Sequence, residues 1–209
     1  MTLYRSITPF PDESLSGLIA RASSVNIYPR ALDVLVQART SGLRPEAVAT
    51  RDVELASQLA KVLGTEEGLL TPLFHARTGG GKFIDFFGAK LRAVHRETAA
   101  RRVSPRALRI SPYVRAVWHL RPFGFDPSTK EMLLDRCPVC DGQLGFVLTK
   151  GVPFCDHYRF GPAPRCRQIP HRPSPGAGRL SAHAGRADHQ AVQGPDLRGS
   201  CSVQPGHPR

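Results

Sequence analysis

The first 136 residues contain no cysteine, the whole chain has a single Trp, and acidic residues are outnumbered 17 to 29 by Lys and Arg. Each shortage excludes something. With all five cysteines after residue 136, and an odd number of them, a disulfide framework spanning the chain is ruled out; clustering of this kind favours a metal. No apolar window approaches the roughly 18 residues of a membrane span. The N-terminus, MTLYRSITPFPDES, has no apolar run before its prolines, so no signal peptide is expected and the chain reads as cytoplasmic. A net charge of +12 points to a polyanionic partner, nucleic acid above all.

That charge is unevenly spread. Residues 160–209 hold seven Arg and two Asp, with eight Pro, seven Gly and four His but no Lys. Such a segment buries too little apolar surface to offset its ordering entropy and is expected to be disordered. It reads either as an Arg-rich nucleic-acid arm or as the product of an out-of-frame GC-rich coding sequence. The second reading is preferred because the change in composition falls inside a metal motif. The remaining 22 basic and 15 acidic residues leave residues 1–159 moderately basic.

Helical periodicity organises the first half. After an extended stretch over residues 1–10, Asp12 or Ser14 can cap a helix that places Leu15, Leu18, Ile19, Ala22 and Val25 on one face. Pro29 suits the start of a second helix carrying Leu32, Leu35 and Val36. The pair is compatible with a helix-turn-helix or with an ordinary helical hairpin. A third helix is expected over 51–63 with Gly64 as its stop, and a fourth over 66–74. The spacing of Phe83, Phe87, Leu91 and Val94 predicts another helix, interrupted by Gly88. Its basic end, Arg92, Arg96, Arg101 and Arg102, is a candidate phosphate-contacting surface. Between 103 and 125 no helix is expected, and YVRAVWHL alternates like a strand. ARTGGGKF lacks the first Gly and the final Ser or Thr of a phosphate loop, so it is read as a glycine-rich linker. His75, His95 and His119 read as core or surface histidines, and no catalytic set assembles.

The strongest local signal is Cys137-Pro-Val-Cys140-Asp-Gly142, a knuckle with two thiolates two residues apart. Cys155 follows fifteen residues later, giving the order of a zinc ribbon. A redox Cys-x-x-Cys is the rival, but it needs a strand-to-helix junction, and Gly142 with the following hairpin pattern argues against one. Where a fourth thiolate would stand there is Tyr158, a poor zinc ligand. His157 is chemically competent, so the expected metal ligands are Cys137, Cys140, Cys155 and His157. Cys166 and His171 lie in the altered tail. A metalloenzyme with an open zinc position would need a base, and Asp156 is the one adjacent group.

These residues together resemble the TniQ family of transposon target-site selection proteins. The resemblance rests on PFPDESLSGLIARASSVN, through Pro9, Pro11, Glu13, Ser14, Leu15, Ser16, Leu18, Ile19 and Arg21, on LASQLAKVLGTEEGLLTPL, and on LLDRCPVCDGQL. It covers most of residues 7–158. It implies a C-terminally truncated or frameshifted, non-enzymatic adaptor that binds DNA or a targeting complex and recruits an AAA+ transposition ATPase. The expected architecture is mainly α: a helical, helix-turn-helix-like domain over 1–102, a degenerate zinc-ribbon region of β structure over 103–159, and a disordered tail over 160–209. The alternative is a zinc-ribbon and helix-turn-helix transcription regulator. The resemblance also implies a first zinc site flanking Trp118, where Ser104, Ala107, Asp126 and Thr129 stand in place of ligands; at most one zinc is therefore expected.

Overall fold

The computed structural model of the chain describes residues 2–39, 42, 44–50, 53–146, 151–157 and 169. The expectations for Tyr158, Cys166, His171 and the disorder and frame of the tail therefore lie outside the described residues, Ile169 excepted. That residue is buried and donates its N–H to the Pro153 carbonyl at 2.8 Å.

The N-terminal half follows its periodicity. Helix α1, Leu15–Val25, starts where the Ser14 hydroxyl accepts the Gly17 N–H at 3.1 Å, and Leu15, Leu18, Ile19 and Ala22 are all buried. Asn26 ends it and ties back the extended N-terminus, accepting from the Arg5 N–H and donating to the Arg5 carbonyl. At the start of helix α2, Ala31–Gln37, the Asp33 carboxylate accepts the Arg30 N–H and the Arg30 carbonyl accepts the Asp33 N–H, each at 3.1 Å, so Pro29 sits just ahead of the helix and does not open it. Short α3, Pro45–Val48, comes next, with α4, Leu55–Leu63, closed by Gly64 at φ 67°. Then α5, Glu67–Leu70, runs into a 3₁₀ turn at Thr71–Leu73. Leu3 and Ile7 donate backbone hydrogen bonds to Val62 and Leu63, so the first residues run extended along α4.

The segment after His75 overturns the mainly α expectation. The fold is mixed: an antiparallel three-stranded sheet is built from β1, Arg77–Thr78, β2, Phe83–Phe86, and β3, Ala89–Arg92. Phe83 pairs with Arg92 and Phe86 with Ala89, leaving Phe87 and Gly88 as a two-residue turn with φ of 51° and 85°. Both central residues at positive φ is the type I′ pattern that matches strand twist. The apparent helical spacing of Phe83, Phe87, Leu91 and Val94 was thus coincidental: of the two candidate periods, pairing with a partner strand won. TGGGK, read as a linker, is the turn between β1 and β2, with Gly79, Gly80 and Gly81 all at positive φ.

Two further corrections concern residues 103–125. A helix, α6, Pro105–Ile110, does form, because Ser104 caps it and Pro105 occupies the first position, where its missing N–H costs nothing. Half of the alternating YVRAVWHL is a 3₁₀ turn, Ala116–His119, and the stretch forms no strand. The β structure of the described residues in the expected ribbon region is limited to isolated bridges, such as Val103 with Leu134 and Arg136 with Gln143.

Segment 111–118 packs directly on the start of α1. Ser14 donates to the Val114 carbonyl and Ala116 to that of Asp12, while the Phe10 and Tyr113 rings stack at 4.3 Å. Gly17 permits this approach, since a Cβ there would lie 2.7 Å from Val114 Cβ. Beside it the fully buried Glu13 is held in a two-point ion pair with Arg21, at 2.6 and 2.9 Å. No helix among the described residues is long and apolar enough to cross a membrane.

His75 and His119 are core residues, as expected. Burial, reinforced by the neighbouring Arg96 charge, lowers their pKa to about 4 and about 3. In the unfolded chain both titrate near 6.5, so the unfolded state takes up protons first as pH falls. Unfolding free energy should therefore drop between pH about 6.5 and about 4, by on the order of 2–3 kcal/mol per histidine. Urea unfolding across that range measures it; a slope unchanged in His119→Phe would contradict the burial of neutral imidazole.

Candidate metal centre

The knuckle Cys137–Gly142 is a closed turn: Asp141 donates to the Cys137 carbonyl at 2.8 Å and Cys137 to the Gly142 carbonyl at 2.9 Å. Opposite it, residues 151–157 bring up Cys155. The backbone N–H of His157 points at the Cys155 sulfur, 3.3 Å away, as in a knuckle whose main chain faces its thiolate. The Sγ atoms of Cys137, Cys140 and Cys155 all lie within 4.8 Å of one another, and Cys140 and Cys155 are 3.7 Å apart. Among the described residues this is the one cluster of three or more His, Cys, Asp or Glu ligand atoms able to hold a metal ion.

Cys137 and Cys155 are buried and Cys140 is exposed, so the cluster opens to solvent on one side. Burial pushes the Cys155 thiol up and the two neighbouring sulfurs push the same way, against the His157 N–H, which favours the thiolate. Three thiolates so close repel one another; a bound cation reverses that balance by neutralising them. His157 adds its ring, with Nδ1 3.9 Å from the Cys155 sulfur. Gly142 makes room for it, since a Cβ there would fall 2.3 Å from His157 Nδ1. The three cysteines are thus brought to one place, and the His157 ring lies beside Cys155.

Arg101 holds the two arms together. Its side chain is wholly buried, and its guanidinium donates to the carbonyls of Gly151, Val152 and Phe154 and pairs with Asp156 at 3.0 Å. Asp156 in turn accepts the Gly145 N–H, and the Arg101 N–H reaches the Leu144 carbonyl at 2.8 Å. Asp156 is therefore committed to structure and is not placed as a base. The Arg101 role is invisible in sequence because its partners lie some fifty residues away.

This placement corrects the expected phosphate-contacting surface. Arg101 and Arg96 are buried, and Arg102 is half-buried with its guanidinium on the Leu120 and Phe123 carbonyls; Arg92 alone is exposed, on β3. A guanidinium spent on the interior makes no contact with a phosphate backbone at the surface.

The positions around Trp118 also converge, through hydrogen bonds. Ser104 Oγ lies 3.2 Å from Thr129 Oγ1, caps Ala107, and donates to Glu131. Asp126 accepts from the Thr129 N–H and hydroxyl at 2.7 and 2.8 Å, and from the Trp118 indole at 2.8 Å. Hydroxyls and carboxylates link these two turns; Glu131 was missed because nothing in its sequence neighbourhood marks it. No family model matches the chain, and no curated protein matches it.

Replacing Arg101 with Leu leaves Asp156 without its buried cation and strands three carbonyls. Urea unfolding should show a loss of about 3–5 kcal/mol, together with faster thiol labelling of Cys155. A midpoint matching the parent chain would contradict the role assigned to this pair.

Proposed function

We propose that this chain is a non-enzymatic DNA-binding adaptor for target-site selection in DNA transposition, carrying one structural zinc ion and recruiting an AAA+ transposition ATPase. The zinc assignment is supported by the sulfur spacing: tetrahedral zinc with bonds of about 2.3 Å places its sulfurs about 3.8 Å apart, against 3.7 Å between Cys140 and Cys155. Cys137, Cys140 and Cys155 would hold the ion with His157 in the fourth position. A structural zinc supplies folding energy, on the order of 10–16 kcal/mol in small modules, and here it would clamp residues 151–157 to the 137–142 turn.

The observation that carries the DNA-binding half is the basic hairpin. Arg77, Lys82, Lys90 and Arg92 are exposed on or between β1, β2 and β3, with Asp85 the one acidic residue there. Lys90 and Arg92 pair across β2 with Asp85 and Phe83, on the face opposite buried Ile84. The Lys90 ammonium also sits 4.6 Å from the Phe83 ring centroid. A small antiparallel sheet with cations on its exposed face and a glycine-rich turn between β1 and β2 suits a phosphate backbone. The recruitment half rests on the resemblance of residues 9–21, 55–73 and 133–144 to TniQ proteins.

Replacing Lys82, Lys90 and Arg92 together by Ala should weaken duplex binding and lower the salt slope of log K by about 2–3. Mobility-shift titrations over a range of salt concentrations test this; an unchanged slope would remove the hairpin from the interface. Pull-down with the transposition ATPase tests recruitment. Sequence-specific promoter binding without ATPase capture would favour the transcription-regulator reading.

A further inference from the structure

The three cysteines that face one another are not equivalent. Cys137 and Cys155 are each 1% exposed, whereas Cys140 stands at the surface. An oxidant arriving from solvent therefore meets Cys140 first. Its sulfur lies 3.7 Å from that of Cys155, which belongs to the other arm of the site. A disulfide bond is about 2.05 Å long, so these sulfurs have a gap of roughly 1.7 Å to close. Rotation of the exposed Cys140 side chain can supply a movement of that size while Cys155 stays buried.

Both arms are held by bonds that involve neither sulfur nor a metal ion. The 137–142 turn is closed by the hydrogen bonds from Asp141 to the Cys137 carbonyl and from Cys137 to the Gly142 carbonyl. On the other arm, Arg101 donates to the carbonyls of Gly151, Val152 and Phe154 and pairs with Asp156, the next residue after Cys155. Asp156 also accepts the Gly145 N–H, which ties this arm to the chain leaving the turn. Cys155 is thus kept beside Cys140, and their reaction is intramolecular, favoured by a high effective concentration. A link between the two sulfurs crosses from arm to arm and requires none of these bonds to break.

We propose that Cys140 and Cys155 form a peroxide-sensitive pair, whose disulfide is an alternative closure of the metal centre that excludes the ion. The Cys140 thiolate attacks one oxygen of hydrogen peroxide; the O–O bond breaks, leaving sulfenic acid on Cys140 and releasing hydroxide. The Cys155 thiolate then attacks the Cys140 sulfur, the S–O bond breaks, and a second hydroxide leaves as the S–S bond forms. The two thiolates lose two electrons, the peroxide gains them, and both hydroxides take up protons as water. Sulfurs joined in a disulfide no longer serve as thiolate ligands, so the centre keeps Cys137 as its one thiolate and lets a zinc ion go. The ion-release half rests on the zinc reading of the site; the disulfide does not.

Trypsin cleaves after Arg136, Lys150 and Arg159, which puts Cys140 and Cys155 in separate peptides, 137–150 and 151–159. The full chain, metal-free or loaded with zinc, is treated with hydrogen peroxide, blocked with a thiol reagent and digested without reductant. Mass spectrometry with fragmentation places the linked sulfurs, and a chromogenic chelator reads released zinc. In the metal-free chain the two peptides should appear joined through Cys140 and Cys155. That link should be lost in Cys140→Ser and kept in Cys137→Ser. The zinc-loaded chain should release one zinc for each link formed. If the metal-free chain forms the link and no zinc binds, the zinc reading falls and the redox pair stands. Absence of the link, pairing of Cys140 with any other cysteine, or zinc retained by the linked chain overturns the proposal.

Discussion

The guanidinium of Arg101 is the constraint on which the metal centre depends. It is fully enclosed, and its cost of burial is offset by three backbone carbonyls and one carboxylate drawn from residues 151–156. Because those acceptors belong to the segment that carries Cys155, satisfying the arginine and delivering the third thiolate are the same folding event. The Arg101 backbone fixes Leu144, and Asp156 fixes Gly145, so the chain leading out of the Cys137–Gly142 turn is bound to the same point. Breaking either partner strands the other in the interior, where an unpaired charge is most costly.

Two distant pairs of turns are closed by different chemistry in one chain. Around Trp118 the closure is made by Ser104, Asp126, Thr129 and Glu131 through hydrogen bonds and needs no cation. At Cys137, Cys140 and Cys155 the closing groups are thiols whose charged forms repel, so a metal ion there would complete what hydrogen bonds complete elsewhere. The difference matters for pH and redox sensitivity: the first closure is indifferent to oxidants and chelators, and the second is exposed to both through Cys140.

Legibility in the sequence followed the range of the interactions involved. The α1 helix and its Ser14 cap, and the Gly64 stop of α4, were readable because their causes lie within four residues. The thiolate cluster was readable for the same reason at Cys137 and Cys140, and Cys155 followed from ribbon spacing. The hairpin was misread because Phe83, Phe87, Leu91 and Val94 happen to satisfy a helical period, and only the Phe87–Gly88 turn and the Phe83–Arg92 pairing decide against it. The fates of Arg96 and Arg101 were unreadable: as sequence both belong to a basic run, and only tertiary packing turns one into a buttress and leaves the other buried without a partner.

The central claim is the proposed zinc site: three cysteines brought together with the help of the Arg101–Asp156 pair, and His157 completing the shell of one zinc ion. X-ray absorption at the zinc edge, with elemental analysis of the purified full chain, addresses it most directly. The account predicts one zinc per chain, coordinated by three sulfurs at about 2.3 Å and one nitrogen at about 2.0–2.1 Å. Two zinc ions per chain, or a shell with fewer than three sulfurs, would contradict it.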